Sequence, residues 1–450
     1  MDGSIPEILF FSPYYTPRVG YIAQIVFEVF SKLPFRFVHS EAEFLAYPGP
    51  KINYSYAGLA APEEEIFIPA SGLLFERGCG APKPKRIING QAFPGFFPVT
   101  ANRADFPFDL FSSVFYWLSR YEEYQPFQPD RFGRFPASQC LAYQNGILEL
   151  PVVDLWLHSL YHALERKWKL PGLSGTTYRY LPTYDVDIAW AYRYRPWWRQ
   201  LLASGKSLLS LEFNSLAARL KSLSGYPDPY DQHIFLRGLH TASPFQPLYF
   251  FLLGNYARFD RNIDYRVPAM QTLIRENSST AGLHPSMASN FKPGRLALEK
   301  KRLETITGIP ATQTRQHYLF LSLPETYRRL ESAGFEMDYS MGFADLPGFR
   351  AGTGTAFPWY DLPAERRSSL WIQPFQVMDV TLKDYLGLNP SAAADRIAPI
   401  LQQCKAVGTT FCTIWHNSSF YPAEGWKAWP EMYIGLVEAA NNLFSLQKKP

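Results

Sequence analysis

The segment LPTYDVDIAW, residues 181–190, places two acids, Asp185 and Asp187, at the end of a short apolar run. If this run is a strand, residues two positions apart project from the same face, so the two carboxylates lie side by side. Two negative charges at that spacing require a proton, a cation or a strong hydrogen-bond donor. A metal site with an adjacent general base meets this requirement. The structural alternative is a helix cap formed by one Asp, with the other simply solvated.

Other predicted strands further along the chain also end near residues that can bind metal or transfer protons. AGLHPSMAS contains His284, TQTRQHYLFL contains Arg315 and His317, and GTTFCTIWHN contains His416 near its end. Each has a structural alternative, namely a loop histidine, a surface pair or a core histidine bonded to a carbonyl. Together with the two acids they predict the site of a metal-assisted hydrolase, and we expect them to converge on one cleft.

The order of these motifs resembles the polysaccharide deacetylase superfamily, the carbohydrate esterase family 4 group, over about residues 178–450, and especially a branch with an extra N-terminal domain. The resemblance implies a distorted (β/α) barrel, a divalent metal, commonly zinc, and hydrolysis of N-acetyl groups on sugar polymers. TYDVD is similar to the first family motif. This similarity implies that Asp185 is the catalytic base and that Asp187 binds the metal.

The remaining motifs match the family incompletely. HPSMAS is similar to the second motif, in which two histidines four residues apart bind the metal; His284 matches the first, but Ala288 stands at the second. Catalytic zinc sites usually have three protein ligands, so a replacement is needed, and His317 is the candidate. Arg315 matches the family arginine that orients the base. TIWHN is similar to the final motif, which implies that His416 is the general acid.

Substrate contacts are predicted from a glycine-rich stretch and from aromatic residues. Arg350 lies among Gly348, Gly352 and Gly354 and could pair with an anionic or hydroxyl-rich ligand; the alternative is a structural arginine bound to carbonyls. Aromatic rings offer apolar faces to sugar C–H groups, and ordinary core packing is the alternative for each. The predicted aromatic contacts are Trp359, Tyr360 and Trp415.

The chain around these residues predicts an α/β protein of two domains. EILFFSP, VGYIAQIVFEVFSKL and FRFVHS have the pattern of a strand, a helix and a strand, and two further helices follow, the first ending near Pro126. A cluster of Pro, Gly and Ser between about 170 and 180 predicts a boundary, which gives domains 1–175 and 176–450. Strands that carry reactive groups at their ends and alternate with helices predict that the second domain is a (β/α) barrel.

Composition limits the possible partners and locations. The 450 residues are 47% apolar and 19% charged, which is typical of a globular protein, and the net charge of +4 without a basic run argues against nucleic acid. The four cysteines show no C-x-x-C spacing and are predicted to be free buried thiols. The first residues are not typical of a signal peptide, and no run approaches the roughly 20 apolar residues of a membrane span. A cytoplasmic location is therefore expected, whereas the oligomeric state is left open.

The predicted function is a metal-dependent hydrolase, with zinc as the expected ion, that deacetylates an acetylated sugar or polysaccharide. Because position 288 lacks the family histidine, an inactive carbohydrate-binding or scaffold protein with the same fold is the first alternative. A metal-dependent hydrolase of a glycosidic linkage is the second. The sequence leaves open the polymer, the choice between N-acetyl and O-acetyl groups, and the role of the N-terminal domain.

Overall fold

The computed structural model describes residues 6–82, 84–87, 93–170, 177–211, 213–241, 243–422 and 425–447. The predicted domain boundary at residues 175 and 176 lies outside the described residues. Among the described residues, no helix combines the length and apolar character that crossing a membrane requires.

The N-terminal part contains a small parallel sheet and the helices that cover it. Its strands are β1 (Ile8–Phe11), β2 (Phe35–Val38), β3 (Lys51–Ser55), β4 (Ile66–Pro69), β5 (Arg86–Ile87) and β6 (Gly95–Phe96). Its helices are α1 (Pro17–Gln24), α2 (Glu41–Ala46), α3 (Leu110–Leu118), α4 (Leu141–Gln144) and α5 (Val152–Trp168). The first four strands are parallel in the order β2-β1-β3-β4, which confirms the predicted strand, helix and strand unit.

Capping and backbone conformation explain where α1 begins and where α3 ends. Thr16 accepts a hydrogen bond from the Val19 N–H and precedes Pro17 at the first helical position, so α1 starts there. The helix predicted to reach Pro126 is shorter, because α3 ends at Leu118 and Arg120 adopts a left-handed conformation at φ 53° before a 3₁₀ turn.

The C-terminal part contains a larger sheet. Its strands are β7 (Arg179–Val186), β8 (Leu248–Leu252), β9 (Ala281–His284), β10 (Gln313–Thr314), β11 (Met337–Asp338), β12 (Phe357–Asp361), β13 (Arg366–Ile372), β14 (Val377–Met378) and β15 (Thr410–His416). Its helices are α6 (Trp197–Leu209), α7 (Phe213–Leu223), α8 (His233–Leu239), α9 (Pro268–Glu276), α10 (Arg295–Thr307), α11 (Glu325–Ser332), α12 (Pro390–Ala406) and α13 (Trp429–Gln447).

The order of this sheet decides which strand ends meet. In the described part of the chain the order is β12-β13-β11-β10-β9-β8-β7-β15-β14, and every neighbouring pair is parallel except β12 with β13. The carboxyl ends of β7, β8, β9, β10 and β15 therefore lie at one edge of the sheet. The protein is thus mixed α/β with a large, mainly parallel sheet. Among the described residues β12 and β14 have one strand neighbour each, so a closed barrel stays a prediction.

One continuous apolar core extends from the N-terminal sheet into the C-terminal sheet. The Tyr21 hydroxyl donates to the Pro358 carbonyl at 2.9 Å, and Arg18 pairs with Glu365 at 2.6 Å, so polar contacts also join the two parts. The two predicted domains therefore pack as one body around a shared interior. The cysteines are free, as predicted, but Cys79 is exposed whereas the other three are buried.

Candidate metal centre

The edge formed by the parallel strand ends brings the predicted metal ligands together. Asp187 follows β7, His284 ends β9, and His317 lies in a turn after β10. Each of these side chains has a possible ligand atom within 4.8 Å of such an atom on the others. His284 Nε2 lies 3.2 Å from Asp187 Oδ1, and His317 Nε2 lies 3.6 Å from Asp187 Oδ2. These three residues, here called the metal centre, could hold a metal ion.

The hydrogen bonds around the two histidines orient them as metal ligands. His284 Nδ1 lies 2.6 Å from the carbonyl oxygen of Arg315, which can only accept, so this nitrogen carries the hydrogen. His317 Nδ1 lies 3.1 Å from the carboxylate of Asp260. With both Nδ1 atoms donating to acceptors, a neutral ring presents its Nε2 lone pair to Asp187, as a metal-binding histidine does.

An unsatisfied oxygen supports the same conclusion. Asp187 Oδ1 is buried and accepts no hydrogen bond from any described residue. A buried carboxylate oxygen without a donor is costly unless a cation satisfies it. The carboxylate and the two imidazoles therefore fit a divalent ion by donor type and by orientation.

Charge at the metal centre makes metal binding sensitive to protons. Burial alone lowers the pKa of His317, but the charges and hydrogen bonds of Asp187 and Asp260 outweigh it and raise the pKa to about 9. Burial raises the pKa of Asp187, but His317 and His284 hold it well below its usual range. A metal ligand must be neutral imidazole, so an ion competes with a proton for His317 below about pH 9.

Asp185 lies beside the metal centre and is held by a buried arginine. Arg315 Nη1 is 2.8 Å from Asp185 Oδ1, and its Nε donates to the Tyr339 carbonyl at 3.1 Å. The guanidinium carbon lies 4.4 Å from the ring centre of Phe250, which further limits its movement. The other carboxylate oxygen of Asp185 is 3.9 Å from His284 Nε2, so it faces the metal centre.

His416 lies on the other side of Asp187, paired with a carboxylate. Its Nδ1 is 2.9 Å from Asp379 Oδ1, and its backbone N–H donates to Asp379 Oδ2 at 2.7 Å. Its Nε2 is 3.8 Å from Asp187 Oδ2 and therefore faces the metal centre. Burial lowers the pKa of this imidazole, but Asp379, followed by Asp187 and Asp185, raises it to about 10. His416 is consequently a protonated donor at neutral pH.

The metal centre, Asp185 and His416 open into one cleft of about 490 Å³, a size typical of a small-ligand pocket. Asp185, Asp187, His284, His317 and His416 line its floor. The aromatic side chains on its walls are Phe132, Tyr318, Tyr385 and Trp426.

The N-terminal part of the chain supplies a section of this wall. Arg131, Phe132 and Arg134 all line the cleft. Arg134 donates to the Tyr318 carbonyl at 2.8 Å and to the Tyr385 hydroxyl at 2.9 Å, so it connects the N-terminal part to two aromatic residues of the cleft.

The predicted substrate contacts lie elsewhere. Arg350 is buried, pairs with Glu123 at 2.6 Å and donates to the Gly342 carbonyl at 3.0 Å, so it is a structural arginine away from the cleft. Trp359 packs against Tyr327 in the core. These positions correct the prediction for Arg350 and Trp359, because packing and ion pairing already occupy both side chains.

The other two predicted aromatic contacts are also internal. The Tyr360 hydroxyl donates to Glu365 at 2.8 Å. Trp415 is fully buried and packs on Tyr433, with ring centres 4.4 Å apart. Trp415 precedes His416 on β15, and alternation along the strand directs its side chain to the opposite face. The residues that do reach the cleft are the aromatic side chains already described.

Two carboxylates at the site were missed by the sequence analysis. Asp379 directly follows the short strand β14, so the rule that strand ends carry reactive groups could have identified it. Asp260 lies in an irregular segment after β8, and no periodic pattern distinguishes it. Its backbone partner is the Met287 N–H at 2.6 Å, a contact between segments distant in sequence.

The similarity of this chain to known proteins is limited. Residues 8–169 match the model of a family of unknown function, DUF7033. No curated protein matches the chain in sequence. A protein from Mycobacterium smegmatis assigned as a polysaccharide deacetylase is similar in structure, with 13% identity and a TM-score of 0.38, over 62% of this chain and 93% of that one.

Two further solved structures also match with low sequence identity and a low TM-score. A polysaccharide deacetylase from Bacillus cereus has 14% identity and a TM-score of 0.28, over 59% of this chain and 88% of that one. A 4-alpha-glucanotransferase from Thermococcus litoralis has 10% identity and a TM-score of 0.33, over 59% of this chain and 37% of that one. At these TM-scores the similarities define neither the fold nor the function of this chain.

Proposed function

We propose that the chain is a metal-dependent hydrolase that removes acetyl groups from an acetylated sugar or polysaccharide. The observation that carries the proposal is the metal centre itself, in which two histidines with fixed Nδ1 donors direct Nε2 at a carboxylate. A base and an acid candidate lie on either side of it. This set of residues also underlies the motif resemblance to polysaccharide deacetylases.

Zinc is the proposed ion because of the ligand types. Two imidazoles and one carboxylate are a common ligand set of catalytic zinc, and three protein ligands leave a position open for water or substrate. When bound by Asp187, His284 and His317, the ion would act as a Lewis acid on the acetyl carbonyl and would acidify water. His317 would then replace the family histidine that is absent at position 288.

Asp185 is the proposed general base. Its Oδ1 is held by Arg315, and the positive guanidinium stabilises the ionised carboxylate. The oxygen that faces the metal centre, Oδ2, is positioned to accept a proton from the attacking water.

His416 is the proposed general acid. Asp379 holds its Nδ1, so the proton available for transfer is on Nε2, which faces the cleft. Donation of that proton to the leaving nitrogen or oxygen would complete release of the deacetylated sugar. Sugar rings would lie against Tyr318, Tyr385 and Trp426, whose side chains line the cleft.

Acetate release and metal content together test this function. Metal-free protein should release no acetate from N-acetylated sugar oligomers or O-acetylated sugars, and one equivalent of zinc should restore release. Asp384→Asn is the matched control, because this half-exposed carboxylate lines the same cleft without contacting the metal centre. Zinc bound without any acetate release would overturn the deacetylase proposal. Shortening of a glycan chain would favour the glycosidic alternative, and absence of stoichiometric metal would favour the inactive one.

A further inference from the structure

Helices α6 and α7 form a hairpin that exposes apolar side chains to solvent and turns polar side chains toward the protein. The apolar side chains of α6 face solvent; Trp197 is 74% exposed and Leu209 is 87% exposed, whereas Gln200 and Ser207 are 8% and 5% exposed. Helices that pack on a protein core normally bury their apolar stripe. The exposed large apolar residues of the hairpin are Trp197, Trp198, Leu201, Leu202, Leu208, Leu209, Leu211, Phe213, Leu220 and Leu223.

The polar side chains on the inner face of the hairpin form hydrogen bonds with one another and with the rest of the protein. The Gln200 side-chain oxygen accepts a hydrogen bond from Arg219 Nη1 at 2.8 Å, and its amide nitrogen donates to the Tyr192 carbonyl. The Ser222 hydroxyl donates to Asp228 at 3.0 Å, and the same carboxylate accepts from the Tyr192 N–H at 2.8 Å. These bonds hold the polar side chains on the inner face of the hairpin and leave its apolar side chains exposed.

Basic residues lie beside this apolar face. Residues 188–227 contain six basic residues and one acidic residue. A cavity of about 1150 Å³ adjoins the hairpin and is lined by Arg195, Arg199 and Arg261, none of which forms an ion pair with a described carboxylate. Arginine without a carboxylate partner is suited to bind phosphate groups. The surface therefore combines an apolar stripe with a site for anions.

We propose that the α6–α7 hairpin docks the protein on an anionic lipid surface. Apolar side chains with Trp at one end and basic residues alongside are typical of helices that lie in a membrane interface. The exposed leucines would enter the boundary of the acyl chains, and Arg195 and Arg199 would contact lipid phosphates. Arg261 directly follows Asp260, which holds His317, so docking would bring the candidate cleft close to the lipid surface. The proposal does not depend on the metal or on the reaction.

Vesicle sedimentation with the full chain tests the proposal. The wild type should bind vesicles that contain phosphatidylglycerol and phosphatidylcholine, and should bind phosphatidylcholine alone more weakly. Combined Leu202→Glu and Leu209→Glu should reduce binding at least about tenfold, because both apolar side chains become charged. Leu298→Glu is the matched control, since Leu298 is an exposed helical leucine on α10, and it should bind as the wild type does.

A second variant pair separates charge from apolar insertion. Arg195→Ser with Arg199→Ser should weaken binding to the anionic vesicles and reduce its dependence on salt, with little change on phosphatidylcholine. Circular dichroism and thermal unfolding of each variant confirm that it is folded. The proposal is overturned if the wild type does not bind anionic vesicles at low salt, or if the glutamate variant binds equally. It is also overturned if the glutamate substitutions dissociate a dimer of the wild type that does not bind vesicles, because the face is then a contact between two copies.

Discussion

Two clusters of buried ionisable residues in this protein differ in how their polar atoms are satisfied. In the first, here called the ion-pair cluster, Glu123 accepts from Arg350 at 2.6 Å and from Arg120 at 2.8 Å. Arg120 also pairs with Glu122 at 2.7 Å and donates to the Arg350 carbonyl. The two arginines and two glutamates balance in charge. In the metal centre, by contrast, Asp187 Oδ1 accepts no hydrogen bond from the described residues.

The difference shows how a structural charge cluster can be distinguished from a functional one. Arg350 and Arg315 are both buried arginines that hold a carboxylate. Arg350 uses both oxygens of Glu123, whereas Arg315 uses one oxygen of Asp185 and leaves the other facing the cleft. Burial of an arginine is therefore uninformative by itself. The informative feature is a carboxylate at the cleft with an oxygen that no group of the described residues holds.

Asp185→Asn is expected to have the largest effect. The amide can still accept the hydrogen bond from Arg315 but cannot take up a proton, so turnover should fall by roughly 10²- to 10⁴-fold. Metal content, measured by elemental analysis, should stay near the wild-type value, whereas Asp187→Asn should lose the ion. Equal loss of metal in the two variants would contradict the division of roles between these acids.

Glu123→Gln tests the ion-pair cluster and should act on stability. It removes a negative charge between Arg120 and Arg350, which should lower the free energy of unfolding by about 3–5 kcal/mol. Urea denaturation measures the change. Glu276→Gln, in an exposed pair with Arg237, is the matched control and should cost less than about 1 kcal/mol. A large loss of zinc affinity in folded Glu123→Gln protein would show that the two clusters are coupled.

His317→Ala tests the proposed replacement ligand. Zinc affinity should fall by more than about 100-fold. Loss of a residue that only orients a ligand costs about 10- to 100-fold, and this substitution removes the ligand itself. Introducing Ala288→His into this variant should restore part of the affinity. Calorimetric titration of zinc into the metal-free forms measures both effects, and the exposed His162→Ala provides a control. If His317→Ala binds zinc as tightly as the wild type, His317 is not a ligand.

Asp260→Asn should have a smaller effect on the same titration. The asparagine can still accept a hydrogen bond from His317 Nδ1, but it no longer adds negative charge behind the ligand, so affinity should fall about 10- to 100-fold. Asp264→Asn, four residues further along and paired with exposed Arg266, is the control and should be neutral. If Asp260→Asn binds zinc as tightly as the wild type, the charge of Asp260 does not contribute to metal binding.

Asp379→Asn should change the pH profile more than the maximal rate. His416 must be protonated to act as an acid, so activity falls as the pH rises through its pKa of about 10. Removing the Asp379 carboxylate lowers that pKa toward the ordinary value of 6.5, and the alkaline limb should move to lower pH. The rate measured from pH 5 to 11.5 shows the shift, with Asp384→Asn as the control. If the alkaline limb of the pH–rate profile does not move in Asp379→Asn, His416 is not the acid whose titration limits the rate.

The sequence predicted those parts of the fold that depend on patterns among neighbouring residues. The first strand, helix and strand, and the strands that lead to Asp185, His284 and His416, agree with the structure because alternation and apolar runs are properties of neighbouring residues. Helix ends were less well predicted, as α3 shows, because the conformation of Arg120 depends on its place in the ion-pair cluster.

The predicted site residues that meet in one cleft are those for which the motif resemblance and the strand ends coincided. Arg350 appeared suited to bind substrate because glycines surround it in sequence, yet its partner Glu123 lies 227 residues away. Asp260 escaped notice for the complementary reason, since its role depends on His317, 57 residues away, and on no pattern of its own.

The sequence by itself determined the chemical types at the site and the adjacency of Asp185 and Asp187, because both follow from residue identity and from the repeat of a strand. The motif resemblance implied that Arg315 orients Asp185 and that Asp187 binds the metal, but only the tertiary structure places Arg315 on Asp185 and two imidazoles beside Asp187. That arrangement depends on the order β10-β9-β8-β7-β15, which brings together strand ends that are distant in sequence, such as those at Asp185 and Arg315, 130 residues apart. Strand order is set by burial of the whole sheet against its helices, a free energy summed over the core, and no short segment contains that information.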